Sequence, residues 1–281
     1  MKPFKVGLVQ MCSTRDPREN IRLAGDLVRD AAGAGADFIL TPENTPLMER
    51  ERQAIDAASF ADEGANPTIE AFQALAREVS RWLLLGSLAV KTDEGRLANR
   101  SVLFSPDGRI AARYDKIHMF DVTVNETEKY QESKNFRPGN QAMLARLPWG
   151  VLGMSVCYDM RFPHLYRALA KAGAHFLSVP SAFTKVTGLA HWHVLLRARA
   201  IETGAYVFAP AQGGRHENGR ETFGHSLVVD PWGRILAEAG EEAAVVIAKI
   251  EPAEVQRARE KIPALLHDRA FGTPKLEGGG P

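Results

Sequence analysis

Cys157 closes an apolar run, Gly153-Met154-Ser155-Val156-Cys157, and is followed by Tyr158-Asp159 and a helix-like segment from about residue 162. A thiol there stands at the carboxyl end of a strand, the edge at which α/β sheets hold their ligands. A helix N-terminus behind it favours a thiolate, and backbone N–H groups at that turn suit an oxyanion. The geometry is that of a nucleophile, although a free cysteine is equally at home as a small buried hydrophobe. Two other strand ends carry chemical groups. Phe38-Ile39-Leu40-Thr41-Pro42-Glu43 is an apolar strand halted by proline, which leaves the Glu43 carboxylate at its end. Residues 111–118 deliver Lys116 or His118 into a long polar stretch, residues 118–140, of the kind that in a compact fold usually has a function. Taken singly, Glu43 reads as a solvated carboxylate and Lys116 as a surface charge.

Competing chemistries find less support. No Gly-x-Ser-x-Gly elbow is present to carry a serine nucleophile. His191 and His193 lie about 200° apart around a helix, so they do not chelate from one face. Cys12 and Cys157, distant in sequence, make neither a zinc site nor a disulfide framework. Gly33-Ala34-Gly35 precedes a strand instead of following one, so it is no dinucleotide fingerprint. Neither a metal nor a cofactor is expected.

The elements that must position these groups alternate in type. Apolar runs at residues 6–11, 38–40, 83–85, 151–157, 176–179 and 206–209 read as strands. Amphipathic stretches at residues 20–32, 68–81, 162–172 and 191–203 read as covering helices. Turns at Ser105-Pro106-Asp107-Gly108 and Asp230-Pro231-Trp232-Gly233 predict hairpins, so the sheet is mixed and the fold class α/β. No linker composition interrupts the alternation, which favours one domain over residues 1–270. The tail, residues 271–281, holds four glycines and two prolines and is expected to fray unless another subunit orders it.

Bulk composition agrees with a globular chain: 281 residues, 45% hydrophobic and 25% charged. Its 35 basic and 34 acidic side chains leave a net charge of +1, which provides no broad positive field for nucleic acid or an anionic membrane. No apolar run reaches the roughly 20 residues of a membrane span, and residues 4–11 start a strand with no signal-peptide core, so a cytoplasmic address is expected.

In combination and in order, these segments resemble the signatures of the nitrilase superfamily of carbon-nitrogen hydrolases, from Val6 to about Pro263. The matching pieces are the strand ending at Glu43, Tyr114-Asp115-Lys116-Ile117-His118, and Cys157-Tyr158-Asp159-Met160-Arg161-Phe162-Pro163. Pro180-Ser181-Ala182-Phe183, Ala190-His191-Trp192, Arg197 to Glu202 and Gly224-His225-Ser226 follow. The resemblance implies a four-layer α-β-β-α sandwich that pairs into homodimers or higher homo-oligomers. It implies Cys157 as nucleophile, Glu43 as general base and then acid, and Lys116 as the cation beside the oxyanion, joined by the backbone N–H of Tyr158. Lys116 is expected to lower the pKa of the thiol. A second glutamate near the lysine is implied, and of Glu126, Glu128 and Glu132 the choice is Glu132, in Tyr130-Gln131-Glu132-Ser133.

Asp159-Met160-Arg161-Phe162-Pro163 and Gln212-Gly213-Gly214-Arg215-His216 resemble the Nit branch, which holds deaminated-glutathione amidases and omega-amidases. The implied reaction is hydrolysis of a small amide by water through a cysteinyl thioester, with deaminated glutathione ahead of 2-oxoglutaramate. Arg161 and Arg215 are candidates for a substrate carboxylate, because a guanidinium binds two oxygens at once; Tyr158 and Phe183 complete the expected substrate-binding set. N-carbamoyl amino-acid hydrolases and aliphatic amidases share the same three catalytic types, and a silent scaffold on the same fold is the non-enzymatic alternative.

Overall fold

The computed structural model describes residues 2–61, 63–93, 95–124, 126 and 128–277. Along the chain, β1 (Phe4–Gln10) leads to α1 (Pro17–Gly33), β2 (Phe38–Leu40), α2 (Arg52–Ala57), α3 (Pro67–Val79), β3 (Trp82–Lys91), β4 (Leu97–Phe104) and β5 (Ile110–Asp115). A short hairpin, β6 (Asp121–Thr123) and β7 (Lys129–Gln131), precedes β8 (Met143–Leu147), β9 (Gly150–Met154), α4 (Pro163–Lys171), β10 (Phe176–Ser178), α5 (Lys185–Thr203) and β11 (Tyr206–Ala209). A second, β12 (Gly213–Arg215) and β13 (Glu221–Phe223), leads to β14 (Leu227–Val229), β15 (Ile235–Glu238), β16 (Ala244–Ile250) and α6 (Ala253–Lys261).

Two mixed six-stranded sheets result, in the orders β16-β1-β2-β3-β4-β5 and β15-β14-β11-β10-β9-β8. Their facing sides share one apolar core in which Phe4, Leu8, Phe38, Leu84, Met154, Phe176 and Phe208 are buried. Phe4 meets Phe176 edge-on at 5.3 Å, and Phe176 stacks on Phe208 at 5.6 Å. The far side of the first sheet packs under α1 and α3 through Val28, Ile69, Phe72 and Leu75. Leu165, Tyr166 and Leu169 of α4 and Trp192, Leu196 and Ala200 of α5 cover the second sheet. This is the α-β-β-α order that the sequence resemblance implies.

The two short central strands, β2 and β10, lie in their sheets as their apolar runs predict, and both punctuated hairpins form. Gly108 N–H closes the β4–β5 turn on the Ser105 carbonyl at 2.8 Å, and Gly233 N–H closes the β14–β15 turn on the Asp230 carbonyl at 2.9 Å. Two boundaries differ from expectation. The strand before Cys157 ends at Met154, and α5 begins at Lys185, six residues before the predicted start, with Thr184 as its N-cap. Of the expected tail, residues 271–277 are exposed and have no regular structure; residues 278–281 lie outside the described residues. Among the described residues no helix is long and apolar enough to cross a membrane.

Candidate active site

Glu43 is held where β2 runs out. Thr41 N–H still pairs with the Leu84 carbonyl of β3 at 2.9 Å, Pro42 ends the ladder, and Asn44 turns the chain with φ +57°. Asn44 N–H donates to the Ser87 hydroxyl at 2.9 Å. The carboxylate is 4% exposed, yet every oxygen is satisfied. Oε1 accepts from Lys116 Nζ at 2.9 Å and Asn99 Nδ2 at 3.0 Å, and Oε2 accepts from Ala182 N–H at 2.9 Å.

Lys116 follows β5, its N–H donating to the Asn99 carbonyl of β4 at 2.9 Å. Only 2% exposed, its ammonium is surrounded by carboxylates: besides Glu43 it donates to Glu132 at 3.0 and 2.8 Å. Glu132 begins the turn after β7 and is fixed by Phe120 N–H at 2.7 Å and Asn99 Nδ2 at 3.2 Å. Burial alone would depress the lysine; Glu132 and Glu43 outweigh it and raise the ammonium above its usual range. Burial likewise works to raise Glu43, and Lys116 reverses the sign, holding the carboxyl below its usual range. Glu43 and Lys116 thus hold each other in their charged forms.

Cys157 sits in a tight helical turn, Cys157–Arg161, with φ +47°, a left-handed conformation that costs a β-substituted residue about 1–3 kcal/mol and that recurs at strained nucleophile turns. Its N–H donates to the Pro180 carbonyl at 2.9 Å, and the thiol shares the cavity with the Glu43 carboxylate, whose charge acts on it. α4 begins at Pro163, within a residue of the expected start, with the turn between it and the thiol. One expectation needs correction here. The thiol pKa is raised, not lowered: burial is the largest influence, the Glu43 charge adds to it, and the pull of Lys116 is smaller. The resting sulfur keeps its proton.

Asp159 binds this turn to the Lys116 strand. Wholly buried, it accepts from Val156 N–H at 2.9 Å and the Tyr114 hydroxyl at 2.7 Å through one oxygen. The other accepts from His118 N–H at 3.0 Å and lies 2.7 Å from His118 Nδ1. Residues on both sides of Lys116 are thus anchored to the residue two beyond Cys157.

Glu43, Lys116, Glu132 and Cys157 line one cavity of about 240 Å³. Tyr158 and Phe183 also line it. Arg161 does not: its guanidinium lies 5.3 Å from the Phe183 ring centroid and 5.9 Å from that of Tyr158, with His191 Nδ1 at 3.3 Å. Arg215 points to solvent from β12 and is also outside the lining. The sequence reading missed Asn99, Arg50 and Arg220, all of which line the cavity. Asn99 left a signal, a lone amide in the apolar run of β4; its Oδ1 is buried without a partner. Cys12 lies apart, half-buried against His216 at 3.5 Å. Among the described residues the group able to share a metal ion is His193, His225 and Glu238, none of which lines the cavity.

Fold and site together define an α/β sandwich that buries a thiol against a carboxylate and an ammonium at one end of its two sheets. The family described as "Carbon-nitrogen hydrolase" matches residues 5–260, and the chain belongs to it. It is 39% identical to the deaminated glutathione amidase of Yersinia enterocolitica over 96% of this chain and 94% of that one. The crystal structure of the Caenorhabditis elegans NitFhit protein superposes with a TM-score of 0.88 at 36% identity, covering 95% of this chain and 65% of that one. A glutamate-to-glutamine mutant of the amidase from Nesterenkonia sp. AN1, with acrylamide added to its active-site cysteine, gives a TM-score of 0.77 at 27% identity over 92% and 98% of the two chains.

Proposed function

We propose that this carbon-nitrogen hydrolase is an amidase that hydrolyses deaminated glutathione through a thioester on Cys157. The observation that carries the mechanism is the cavity that Cys157 shares with the Glu43–Lys116 ion pair, which is 2.9 Å long, so one carboxylate can take a proton from sulfur while a cation waits beside it. Because the thiol is neutral at rest, Glu43 removes its proton as sulfur attacks the amide carbon. The carbonyl oxygen becomes an oxyanion, met by Lys116 Nζ and the backbone N–H of Tyr158. Glu43 then returns the proton to the departing amine, and the carbon-nitrogen bond breaks to leave a thioester. Water, deprotonated by Glu43, attacks the thioester, and the thiol leaves with that proton. Glu132 positions Lys116 throughout.

The substrate follows the Yersinia relative's name and the cations around the cavity, which suit a substrate with carboxylates. The enzyme acts on a small diffusible amide in the cytoplasm, with water as the second substrate. Residues 1–270 work as one unit. We take the active form to be a homodimer, supported by the outward side of α5, where Val186, Leu189, Val194 and Ile201 are each more than half exposed. Purified protein should release cysteinylglycine from deaminated glutathione, and Cys157→Ala should lower that rate by roughly 10⁴-fold or more with an unchanged melting temperature. Full activity in the variant would end the mechanism; turnover of 2-oxoglutaramate alone would end the substrate assignment.

A further inference from the structure

Two guanidinium groups line the cavity beside Glu43, Lys116 and Cys157. Arg50 and Arg220 both line it, each beside the Tyr130 ring: their Cζ atoms lie 5.3 and 5.2 Å from its centroid. Arg50 also donates to the Tyr130 hydroxyl at 3.4 Å, and that hydroxyl donates to Glu128 at 2.6 Å. Arg220 Nη2 donates to the Ala182 carbonyl, Nη1 lies 4.0 Å from the Met48 sulfur, and Nε is buried with no partner. An unpaired donor on a buried cation costs free energy unless something fills it. A carboxylate fits: it accepts from a planar fork through two oxygens, and a second cation at the same aromatic ring adds attraction.

The position of the pair fixes which part of the substrate it meets. Ala182 uses its carbonyl to hold Arg220 and its N–H to hold Glu43 Oε2 at 2.9 Å. Glu43 is the group that protonates the departing amine. We infer that Arg50 and Arg220 form a subsite for a carboxylate carried by the leaving amine, which makes the enzyme selective for amides of amino acids or short peptides over primary amides that release ammonia. The inference rests on the proposed role of Glu43 as the acid of the reaction.

A matched pair of substrates tests it: deaminated glutathione, and the same compound with its terminal carboxylate converted to a carboxamide. The wild-type enzyme should favour the free acid in kcat/KM by about 10- to 100-fold, as expected for a hydrogen bond to a charged group. Arg220→Gln and Arg50→Gln should each shrink that ratio through KM, and the double variant should bring it near one. A wild-type ratio near one, or a ratio that survives in the double variant, overturns the subsite. If neither compound is turned over, the reaction reading fails by itself. The subsite is then judged by calorimetric titration of both compounds into Cys157→Ala: tighter binding of the free acid, lost in Cys157→Ala/Arg220→Gln, supports it, and equal binding refutes it.

Discussion

The charge on Glu43 is secured by Lys116, and Lys116 is secured by two carboxylates, so the ionised site persists without solvent. A buried group that is kept neutral lies nearby. His216 is 3% exposed; its Nδ1 donates to the Ser13 carbonyl at 2.9 Å and its Nε2 lies 2.7 Å from the Thr222 hydroxyl. Burial, the largest influence, pushes its pKa down to about 4 from 6.5. A depressed histidine binds its proton first in the unfolded chain, so its contribution to stability is complete above about pH 6.5 and fades as pH falls through about 4. The loss should be on the order of 3 kcal/mol. Denaturant melts at pH 7 and pH 4.5 measure it: His216→Asn should lower stability at pH 7 and flatten the fall, and an unchanged fall would assign it to other groups. The strand ends that carry Cys157, Glu43 and Lys116 were legible in the sequence, while the roles expected of them came from the family resemblance, since singly Glu43 reads as a solvated carboxylate and Lys116 as a surface charge. Arg220 was not legible. It lies five residues beyond Arg215 on the β12–β13 hairpin, and only the path of that hairpin over the cavity decides which arginine turns inward.

Elements set the site through close backbone approach. Gly86 lies in β3 where the β3–β4 register shifts, and a Cβ built on it would fall 2.1 Å from the Thr41 carbonyl oxygen and 2.2 Å from that of Pro42. Those are the two residues before Glu43. Gly86→Ala must therefore push the end of β2, and displacement of a catalytic group by about 1 Å can cost about 100-fold in rate. We expect turnover to fall by roughly that factor with a loss of about 1–3 kcal/mol in stability; wild-type kcat in a folded Gly86→Ala protein would refute this account. The same kind of contact explains why the start of α5 was hidden. Gly188 stands in its second turn because a Cβ there would meet Phe223 at 2.3 Å, and a glycine in that place breaks the apolar periodicity from which a helix is read. β8 escaped notice for a different reason: its five residues, Arg146 among them, gain their identity from the strand they pair with.

The alternation of strands and helices was enough to indicate α/β, while the division of the strands into two sheets came from resemblance, since periodicity carries no information about which strands become neighbours. At this scale the proposed homodimer is measurable. Light scattering should give about twice the 30.8 kDa chain mass, and Leu189→Asp with Val194→Asp should return it to a monomer; a monomeric parent protein contradicts the assembly. One consequence concerns how the two sheets are aligned. Their shared core is apolar and non-directional, so by itself it would tolerate one sheet sliding over the other. Sliding is resisted by directional pairs at one end: Tyr114 and His118 on Asp159, Glu43 on Ala182 N–H, and Gln212 between Ser13 and the Glu43 carbonyl. Glu43, the proposed acid and base of the reaction, is thus also a pin that sets the alignment of the sandwich, and the enzyme can lose its activity by slippage well before it loses its fold.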